Sequence, residues 1–266
     1  MNQRLKSQYG PWAIVTGASS GIGQAFATEL ATAGLNVLLV ARNESALANL
    51  ELILRKAHSV QTRVIVADLA ESAGVISVIE GTKDLEIGLL VASAGFGSSG
   101  PFLAADIAEH QNMLSVNCDA LMTLTHAIGA RLNAQRRGGV ILLSSLLAWQ
   151  GVPNSAVYAA SKAFVQSLAE GLSLEWKSSG VDVLSCAPGP VLTAFEKRAN
   201  MTIKAGATAE QVAKASLRAL GKRSVVIPGV LSKVLSYSLF TCPRPWRVHI
   251  MKQVMAGLSN YGKSYT

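Results

Sequence analysis

Seven short apolar runs alternate with longer amphipathic segments along most of this 266-residue chain. The runs are rich in β-branched residues and lie at residues 12–15, 37–40, 63–67, 88–91, 140–143, 181–186 and 225–227. Between them, segments such as 21–33, 44–57 and 155–178 repeat their apolar residues with the helical period. Continuously apolar strands separated by helices predict a parallel sheet with both faces covered.

Right-handed crossovers between such strands produce a doubly wound, Rossmann-type α/β sheet with helices on both faces. All seven strand candidates fit one parallel sheet, and no linker rich in Pro, Gly or Ser divides the chain. The sequence therefore predicts a single domain. Residues 1–228 carry the sheet, and residues 229–266 form a basic, apolar C-terminal appendage of it.

Composition limits the classes of function. Half of the residues are hydrophobic and 15% are charged, which is typical of a globular chain. The net charge of +8 is uneven, because no acidic residue follows Glu210. No signal peptide is visible and no run of 18 apolar residues exists, so we expect no spanning helix. Cys118, Cys186 and Cys242 lack metal-ligand spacing and are interpreted as reduced thiols of a cytoplasmic protein.

A glycine-rich turn follows the first predicted strand and leads directly into a helical pattern. Its sequence is Thr16-Gly17-Ala18-Ser19-Ser20-Gly21-Ile22-Gly23. Glycines let the backbone turn tightly and approach a pyrophosphate, and the helix N-terminus adds N–H donors. A tight connection without any ligand is the alternative. The strand-turn-helix context favours a dinucleotide site.

The end of the second predicted strand bears on the choice of dinucleotide. A site for NAD usually has an acid there that binds the ribose 2′-hydroxyl, but this chain has Ala41 and Arg42. Arg42 suits a 2′-phosphate, and Ser19 and Ser20 offer hydroxyl donors. Arg42 as a solvated loop charge is the alternative, and Glu44 is expected to cap the next helix. The pattern favours NADP(H) over NAD(H).

Tyr158 and Lys162 lie four residues apart in a predicted helix and therefore share one face. An ammonium beside a phenol favours the phenolate, so Lys162 is expected to lower the pKa of Tyr158 toward the range of a proton carrier. Chance alone can supply such a pair, but Ser145 and the glycine turn accompany it. Hydride transfer to a carbonyl builds negative charge on oxygen and needs hydroxyl donors and a proton source.

These motifs follow one another in a typical order, and from about residue 12 to residue 227 the chain resembles the short-chain dehydrogenase/reductase family. Further motifs that carry the resemblance are Asp68, Ala92-Ser93-Ala94-Gly95, Asn117, Ser144-Ser145 and Pro188-Gly189-Pro190-Val191-Leu192-Thr193. The family usually has Asn-Asn-Ala-Gly where this chain has 92–95. Since Ala92 has no amide to bond the sheet, we expect another group to satisfy the backbone there.

The resemblance implies catalytic roles for four residues. Tyr158 would exchange a proton with the substrate oxygen, and Ser145 would hydrogen-bond the substrate carbonyl. Lys162 would hold the nicotinamide ribose, and Asn117 would help to bind a water that links Lys162 to solvent. The alternatives are structural: Ser145 bonds only backbone, and Asn117 satisfies a neighbouring carbonyl.

The resemblance also implies that residues 1–228 bind the cofactor and carry catalysis. Asp68 and Leu69 would contact the adenine, and Val191 and Thr193 the nicotinamide carboxamide. The residues expected at the cofactor are Gly17, Ser19, Ser20, Gly21, Ile22, Gly23, Arg42, Asp68, Leu69, Ala94, Gly95, Tyr158, Lys162, Pro188, Val191 and Thr193.

The sequence thus predicts an NADP(H)-dependent oxidoreductase that interconverts a carbonyl and a secondary alcohol; a non-catalytic dinucleotide-binding sensor or scaffold is the alternative. An apolar mouth with a cationic rim suggests a 3-oxoacyl, steroid or lipid-like substrate, unless these residues merely pack or are solvated. The predicted mouth and rim residues are Val152, Pro153, Phe195, Met201, Ile203, Lys197, Arg198 and Lys204.

The oligomeric state and the binding partners are predicted in less detail than the active site. The resemblance suggests a homo-dimer or homo-tetramer packed through helices around 102–136 and 155–178. In the appendage, Leu231, Val234, Leu235 and Leu239 lie near one helical stripe among basic residues. This stripe would pack on its own domain or a sister subunit, or lie on an anionic membrane. Nothing resembles a nucleic-acid-reading module.

Overall fold

The computed structural model describes residues 2–193, 195–202 and 205–258, without the side chains of 196 and 197. It contains a parallel seven-stranded sheet in the order β3-β2-β1-β4-β5-β6-β7, which confirms the predicted fold class. The strands are β1 (Trp12–Thr16), β2 (Asn36–Ala41), β3 (Thr62–Val66), β4 (Ile87–Ala92), β5 (Gly138–Leu143), β6 (Val181–Cys186) and β7 (Val225–Val226).

Helices cover both faces of the sheet. They are α1 (Asn2–Tyr9), α2 (Gly21–Thr32), α3 (Glu44–His58), α4 (Ser72–Glu80), α5 (Ile107–Leu114), α6 (Leu121–Gln135), α7 (Ala156–Glu175), α8 (Phe195–Arg198), α9 (Ala209–Ala219), α10 (Val230–Phe240) and α11 (Arg244–Leu258). A π-helical segment, Ser115–Ala120, joins α5 to α6.

Two hydrophobic cores explain why the central strands β1, β4 and β5 are almost wholly apolar. Along β1, Ala13 and Val15 belong to the core that also contains residues of α2, α3 and α9. Trp12 and Ile14 point the other way, into the core with residues of α4, α6 and α7. Successive side chains of a strand face opposite sides, so a strand buried on both faces has no place for a regular polar residue.

The N-terminal helix α1 was not foreseen in the sequence, where the first strand was expected almost at once. Tyr9 is fully buried, and its hydroxyl donates to Asp182 Oδ2 at 2.7 Å. Arg4 donates to the carbonyls of Leu220 at 2.8 Å and Leu217 at 2.9 Å. Helix α1 is therefore tied to the far half of the sheet by polar contacts that no local pattern encodes.

The start of α3 also differs from the prediction. The side chain of Asn43, not Glu44, caps α3 by accepting from the Ala46 N–H at 3.0 Å, so the predicted cap was wrong by one residue. Glu44 lies in the first turn instead.

Among the described residues, no helix is both long and apolar enough to cross a bilayer.

A third, smaller core joins α10 and α11 to the region around the start of α7. It contains Val152, Ala159, Leu239, Met251 and Met255. Since Ala159 follows Tyr158 directly, this core places the C-terminal helices next to the predicted catalytic residues.

Candidate active site

The glycine turn lies at the carboxyl end of β1, where parallel sheets of this kind bind ligands. Gly17 has φ +68° and Gly21 has φ +55°, a region that favours glycine. A Cβ on Gly17 would lie 2.9 Å from Ala94 Cα, and one on Gly21 would touch Thr193 at 3.4 Å. Gly23 is packed against the Gly17 carbonyl. The turn is thus closed so tightly that side chains are excluded from it.

Thr16 and Ser93 supply the bonds that the missing amide of residue 92 cannot supply. Thr16 Oγ1 accepts from the N–H groups of Ser93 at 3.1 Å and Ala94 at 3.0 Å. The Ser93 hydroxyl in turn donates to the Thr16 carbonyl. Strands β1 and β4 are therefore held together beyond the last hydrogen bond of their ladder. Thr16 and Ser93 are the groups that satisfy the backbone here in place of the usual amide side chain.

Tyr158, Ser145 and Lys162 meet where β5 ends and α7 begins. Ser145 starts the 3-10 turn Leu146–Trp149, and its Oγ accepts from the Leu147 N–H at 3.2 Å. The Ser145 side chain lies close enough to the Tyr158 phenol to lower its pKa slightly. Lys162 Nζ donates to the Leu143 carbonyl at 2.7 Å and lies 5.7 Å from the centroid of the Tyr158 ring.

The acidity of the phenol differs from the expectation. Burial raises the pKa of Tyr158 to about 12, against the smaller opposing effect of the Ser145 side chain. Burial also lowers the pKa of Lys162 to about 8. The predicted lowering of the phenol pKa by Lys162 was therefore wrong for this structure, because the ammonium bonds the Leu143 carbonyl and desolvation dominates both groups.

Asn117 is fully buried in the π-helical segment and holds the loop that follows β4. Its Oδ1 accepts from the Phe96 N–H at 3.1 Å. Its Nδ2 donates to the Phe96 carbonyl at 2.9 Å and to Ser161 Oγ at 3.0 Å. The side chain thus makes the backbone contacts of the structural alternative. Its role in binding a relay water stays a prediction.

A cavity of about 360 Å³ opens beside the glycine turn at the ends of β2 and β3. The predicted cofactor residues that line it are Gly17, Ser19, Arg42, Asp68, Leu69, Ala94 and Gly95. Arg42 Nη1 pairs with Asp68 Oδ2 at 3.3 Å, with both side chains about half exposed. The pKa of Asp68 is lowered, first by the Ala70 N–H and then by Arg42.

Arg198 also lines this cavity, although the sequence assigned it only to the substrate rim. Its guanidinium stacks on Phe96, 4.1 Å from the ring centroid. Burial lowers the pKa of Arg198, and so does repulsion from Arg42. The sequence contains no pattern that would have predicted that Arg198 lies at this cavity.

The segment after β6 runs alongside the glycine turn. The Pro188 carbonyl accepts from the Leu146 N–H at 2.9 Å, and Val191 forms a bridge with Ala207. Thr193 Oγ1 accepts from the Phe195 N–H at 3.3 Å. Ser20 and Ile22 lie on the other side, at the N-cap and in the first turn of α2. These residues surround a backbone-lined cradle that fits a dinucleotide, since side chains are excluded from its glycines.

Several predicted mouth residues lie close to Tyr158. The rings of Tyr158 and Phe195 are 5.7 Å apart. Val152 belongs to the third core and Met201 packs against it. Pro153 is half-buried. Ile203, Lys204 and the side chain of Lys197 lie outside the described residues.

Known proteins share this arrangement. The family described as short chain dehydrogenase matches residues 11–204. The 7beta-hydroxysteroid dehydrogenase of Clostridium sardiniense is 34% identical over 86% of this chain and 89% of its own length. The very-long-chain 3-oxoacyl-CoA reductase-A of Danio rerio is 31% identical over 82% of this chain and 69% of its own length.

A solved structure extends the likeness to the whole fold. The short-chain dehydrogenase from Sphingobium yanoikuyae in complex with NADPH superposes with a TM-score of 0.79 at 28% identity, over 88% of this chain and 97% of that one. With the family match and the relatives above, this chain belongs to the short-chain dehydrogenase/reductase family, whose NAD(P)-dependent oxidoreductases act on CH–OH groups.

Proposed function

We propose that this protein is an NADP(H)-dependent oxidoreductase that interconverts a carbonyl and a secondary alcohol, with Tyr158 as its acid and base. The observation that carries the proposal is the convergence of Ser145, Tyr158 and Lys162 where β5 ends and α7 begins. The buried amine of Lys162 lies 5.7 Å from the phenol ring. These groups are the hydroxyl donors and the cation that a developing oxyanion requires.

The residues divide the work on the substrate oxygen. Ser145 donates a hydrogen bond to this oxygen and Tyr158 delivers the proton. When bound, the nicotinamide supplies or accepts the hydride. A pKa of about 12 keeps Tyr158 protonated at neutral pH, which suits it to proton donation during reduction. Lys162 holds the ribose and keeps a cation near the phenol, as the family resemblance implies.

Two arginines support a preference for NADP(H). Arg42 and Arg198 both line the cavity beside Ser19 and Asp68. Planar guanidinium groups bind phosphate in a bidentate manner, so a 2′-phosphate would engage them better than a hydroxyl. Asp68 pairs with Arg42 and keeps its guanidinium at the cavity. The bound NADPH of the Sphingobium yanoikuyae relative supports the same choice.

An apolar, lipid-like substrate fits the surroundings of Tyr158. Phe195 packs beside the phenol, and Ala159, the residue after Tyr158, packs in the third core with Val152, Met251 and Met255. The names of the relatives, which act on a hydroxysteroid and on a very-long-chain 3-oxoacyl thioester, support this class. We propose ketosteroids and long 3-oxoacyl thioesters as the substrates to test first.

Replacing Tyr158 with phenylalanine tests the mechanism. The ring would keep its packing on Phe195 and Gly97, but the proton donor would be lost. NADPH oxidation with a ketosteroid or a 3-oxoacyl thioester should fall by about 10²–10⁴-fold. NADPH binding, followed by its fluorescence, should remain. Tyr237→Phe, on the exposed face of α10, is the control.

The outcome separates the two candidate activities. Turnover by Tyr158→Phe at the wild-type rate would remove Tyr158 from the mechanism. Wild-type protein that binds NADPH but reduces none of the carbonyls would favour a non-catalytic sensor or scaffold over these substrates.

We further propose a homo-dimer or homo-tetramer, formed through α5, α6 and α7. These helices expose the apolar side chains of Leu114, Met122, Phe164 and Leu174. A cytoplasmic location is proposed from the three free thiols. Residues 229–266 are proposed to be an appendage of the same domain that makes peripheral membrane contact.

A further inference from the structure

Helix α10 is packed with polar residues inward and apolar residues outward. Its buried residues are Ser232, Ser236 and Leu239. Six apolar residues of the same helix are exposed: Val230, Leu231, Val234, Leu235, Tyr237 and Phe240. A helix on a water-facing surface has the opposite arrangement. Val230 exposes 79% of its surface, and exposed apolar residues clustered in this way mark an interaction surface.

The inward serines have a local cause. Ser232 lies against Gly189, so closely that a Cβ on this glycine would overlap its side chain. Ser236 Oγ donates to the Ser232 carbonyl at 2.8 Å, which satisfies its hydroxyl within the helix. These small residues thus allow α10 to approach the backbone of the segment after β6, and most of the larger apolar residues are left on the outer side.

Helix α11 also exposes apolar residues, although its buried residues are apolar as well. Met251 and Met255 are buried in the third core, whereas Trp246, Ile250 and Val254 are exposed at intervals of four residues. Such an interval places them on one stripe of the helix. Trp246 exposes 69% of its surface. Tryptophan and tyrosine are the side chains enriched where a membrane meets water.

The charge of the two helices identifies the kind of surface that they fit. Lys233, Arg244, Arg247 and Lys252 lie on them, and residues 211–266 contain no Asp or Glu. Within the part of the chain that the structure describes, no carboxylate forms an ion pair with these four cations. A second copy would bring cations against cations across a two-fold axis, which disfavours self-association. An anionic bilayer provides the complementary charge.

Helices α10 and α11 are joined by residues 241–243 and both contribute to the third core; the pair is called the hairpin below. We propose that this hairpin docks the protein on the surface of an anionic lipid bilayer, with its exposed apolar residues in the headgroup region and its cations at the phosphates. The docking deepens the membrane contact proposed above by naming its residues and lipid charge. It does not depend on the reductase activity. Each cation near such a surface adds to the attraction, and the apolar side chains add the burial of their area.

Co-sedimentation of the full chain with vesicles tests the proposal. Wild-type protein should bind vesicles of phosphatidylcholine with phosphatidylserine and bind phosphatidylcholine alone at least about tenfold more weakly. The triple variant Lys233→Gln, Arg244→Gln and Lys252→Gln should lose binding by about tenfold or more. The double variant Val234→Ser and Trp246→Ser should lose binding to a similar degree, because it removes exposed apolar area without changing charge.

Matched controls separate this surface from general charge and hydrophobicity. Arg218→Gln, Lys222→Gln and Arg223→Gln remove three exposed cations of the same basic region outside the hairpin. Leu52→Ser and Ile76→Ser remove exposed apolar residues on α3 and α4. Both control variants should bind like the wild type, and circular dichroism should show every variant folded.

Three results would overturn the proposal. They are absence of wild-type binding to anionic vesicles, equal loss in the control variants, and full binding by both hairpin variants. Sedimentation velocity measures the oligomeric state of the same proteins. If the wild type does not bind vesicles and the hairpin variants dissociate from an oligomer into monomers, a second copy of the chain covers this face instead. Failure of the reductase proposal would be seen separately, as lack of turnover without vesicles.

Discussion

Replacing Lys162 with methionine is expected to change stability in a pH-dependent way, as well as to impair turnover. Lys162 is only 5% exposed, and burial lowers its pKa from 10.5 to about 8. Below pH 8 the amine is protonated in both the folded and the unfolded chain, so the whole desolvation penalty opposes folding. At roughly 1.4 kcal/mol per pKa unit, this penalty is about 3 kcal/mol.

The sign follows from the number of bound protons. Between pH 8 and 10.5 the unfolded chain binds more protons at this lysine than the folded chain, so wild-type stability increases with pH there. From about pH 7 to 9.5, we expect the wild type to gain about 2 kcal/mol relative to Lys162→Met. At neutral pH the variant loses the penalty, but leaving the Leu143 carbonyl unpaired costs about 1–3 kcal/mol.

Urea unfolding at both pH values, without nucleotide, measures this difference. Lys56→Met in α3 removes an exposed lysine and controls for the substitution itself. The absolute stability of Lys162→Met depends on the lost hydrogen bond, but its change with pH relative to the wild type does not. A difference between the two proteins that stays constant from neutral to alkaline pH would refute the reasoning, because the penalty must fade as the amine loses its proton.

Three further substitutions probe the site. Thr16→Val should destabilise the fold by roughly 1–3 kcal/mol, because the Ala94 N–H loses its acceptor whereas the Ser93 N–H keeps the Val91 carbonyl; urea unfolding would contradict this with a value near zero. Arg198→Ala should weaken NADPH binding more than NADH binding in calorimetric titration, and an equal loss would place Arg198 away from the 2′-phosphate. Gly17→Ala should impair both folding and NADPH binding, since it combines φ +68° with a Cβ 2.9 Å from Ala94 Cα; unchanged Tm and Kd would refute this.

The sheet was predictable because its strands carry a strong and local signal. The predicted runs 37–40 and 88–91 fall inside β2 and β4, and 181–186 coincides with β6. Each is predominantly apolar on both faces, although β6 also carries Asp182 and Ser185, and few other structures require such a pattern. The glycine turn was equally readable, since positive φ and close approach leave few residue types besides glycine.

Features that depend on tertiary contacts were not predictable. Arg198 reaches the cavity only because α8 folds over Phe96. The stripe Leu231, Val234, Leu235 and Leu239 was expected to pack on its own domain or a sister subunit, or to lie on a membrane. Only Leu239 of the stripe packs on its own domain, and the other two alternatives stay predictions for the exposed residues. Periodicity identifies a helix and its apolar side, but it does not say which side meets the rest of the molecule.

Helix α10 has a consequence for the loop on which it rests. Ser232 touches Gly189, and Gly189 belongs to the segment 188–193 that borders the glycine turn. Only the short side chain of Ser232 lies between the two backbones at this point, so a shift of the helix is transmitted to the loop with little of the slack that a long, flexible side chain provides. A larger side chain at residue 189 would therefore displace α10 on one side and the segment 188–193 on the other. Such a substitution would change both the exposed surface of the hairpin and the cradle beside the glycine turn.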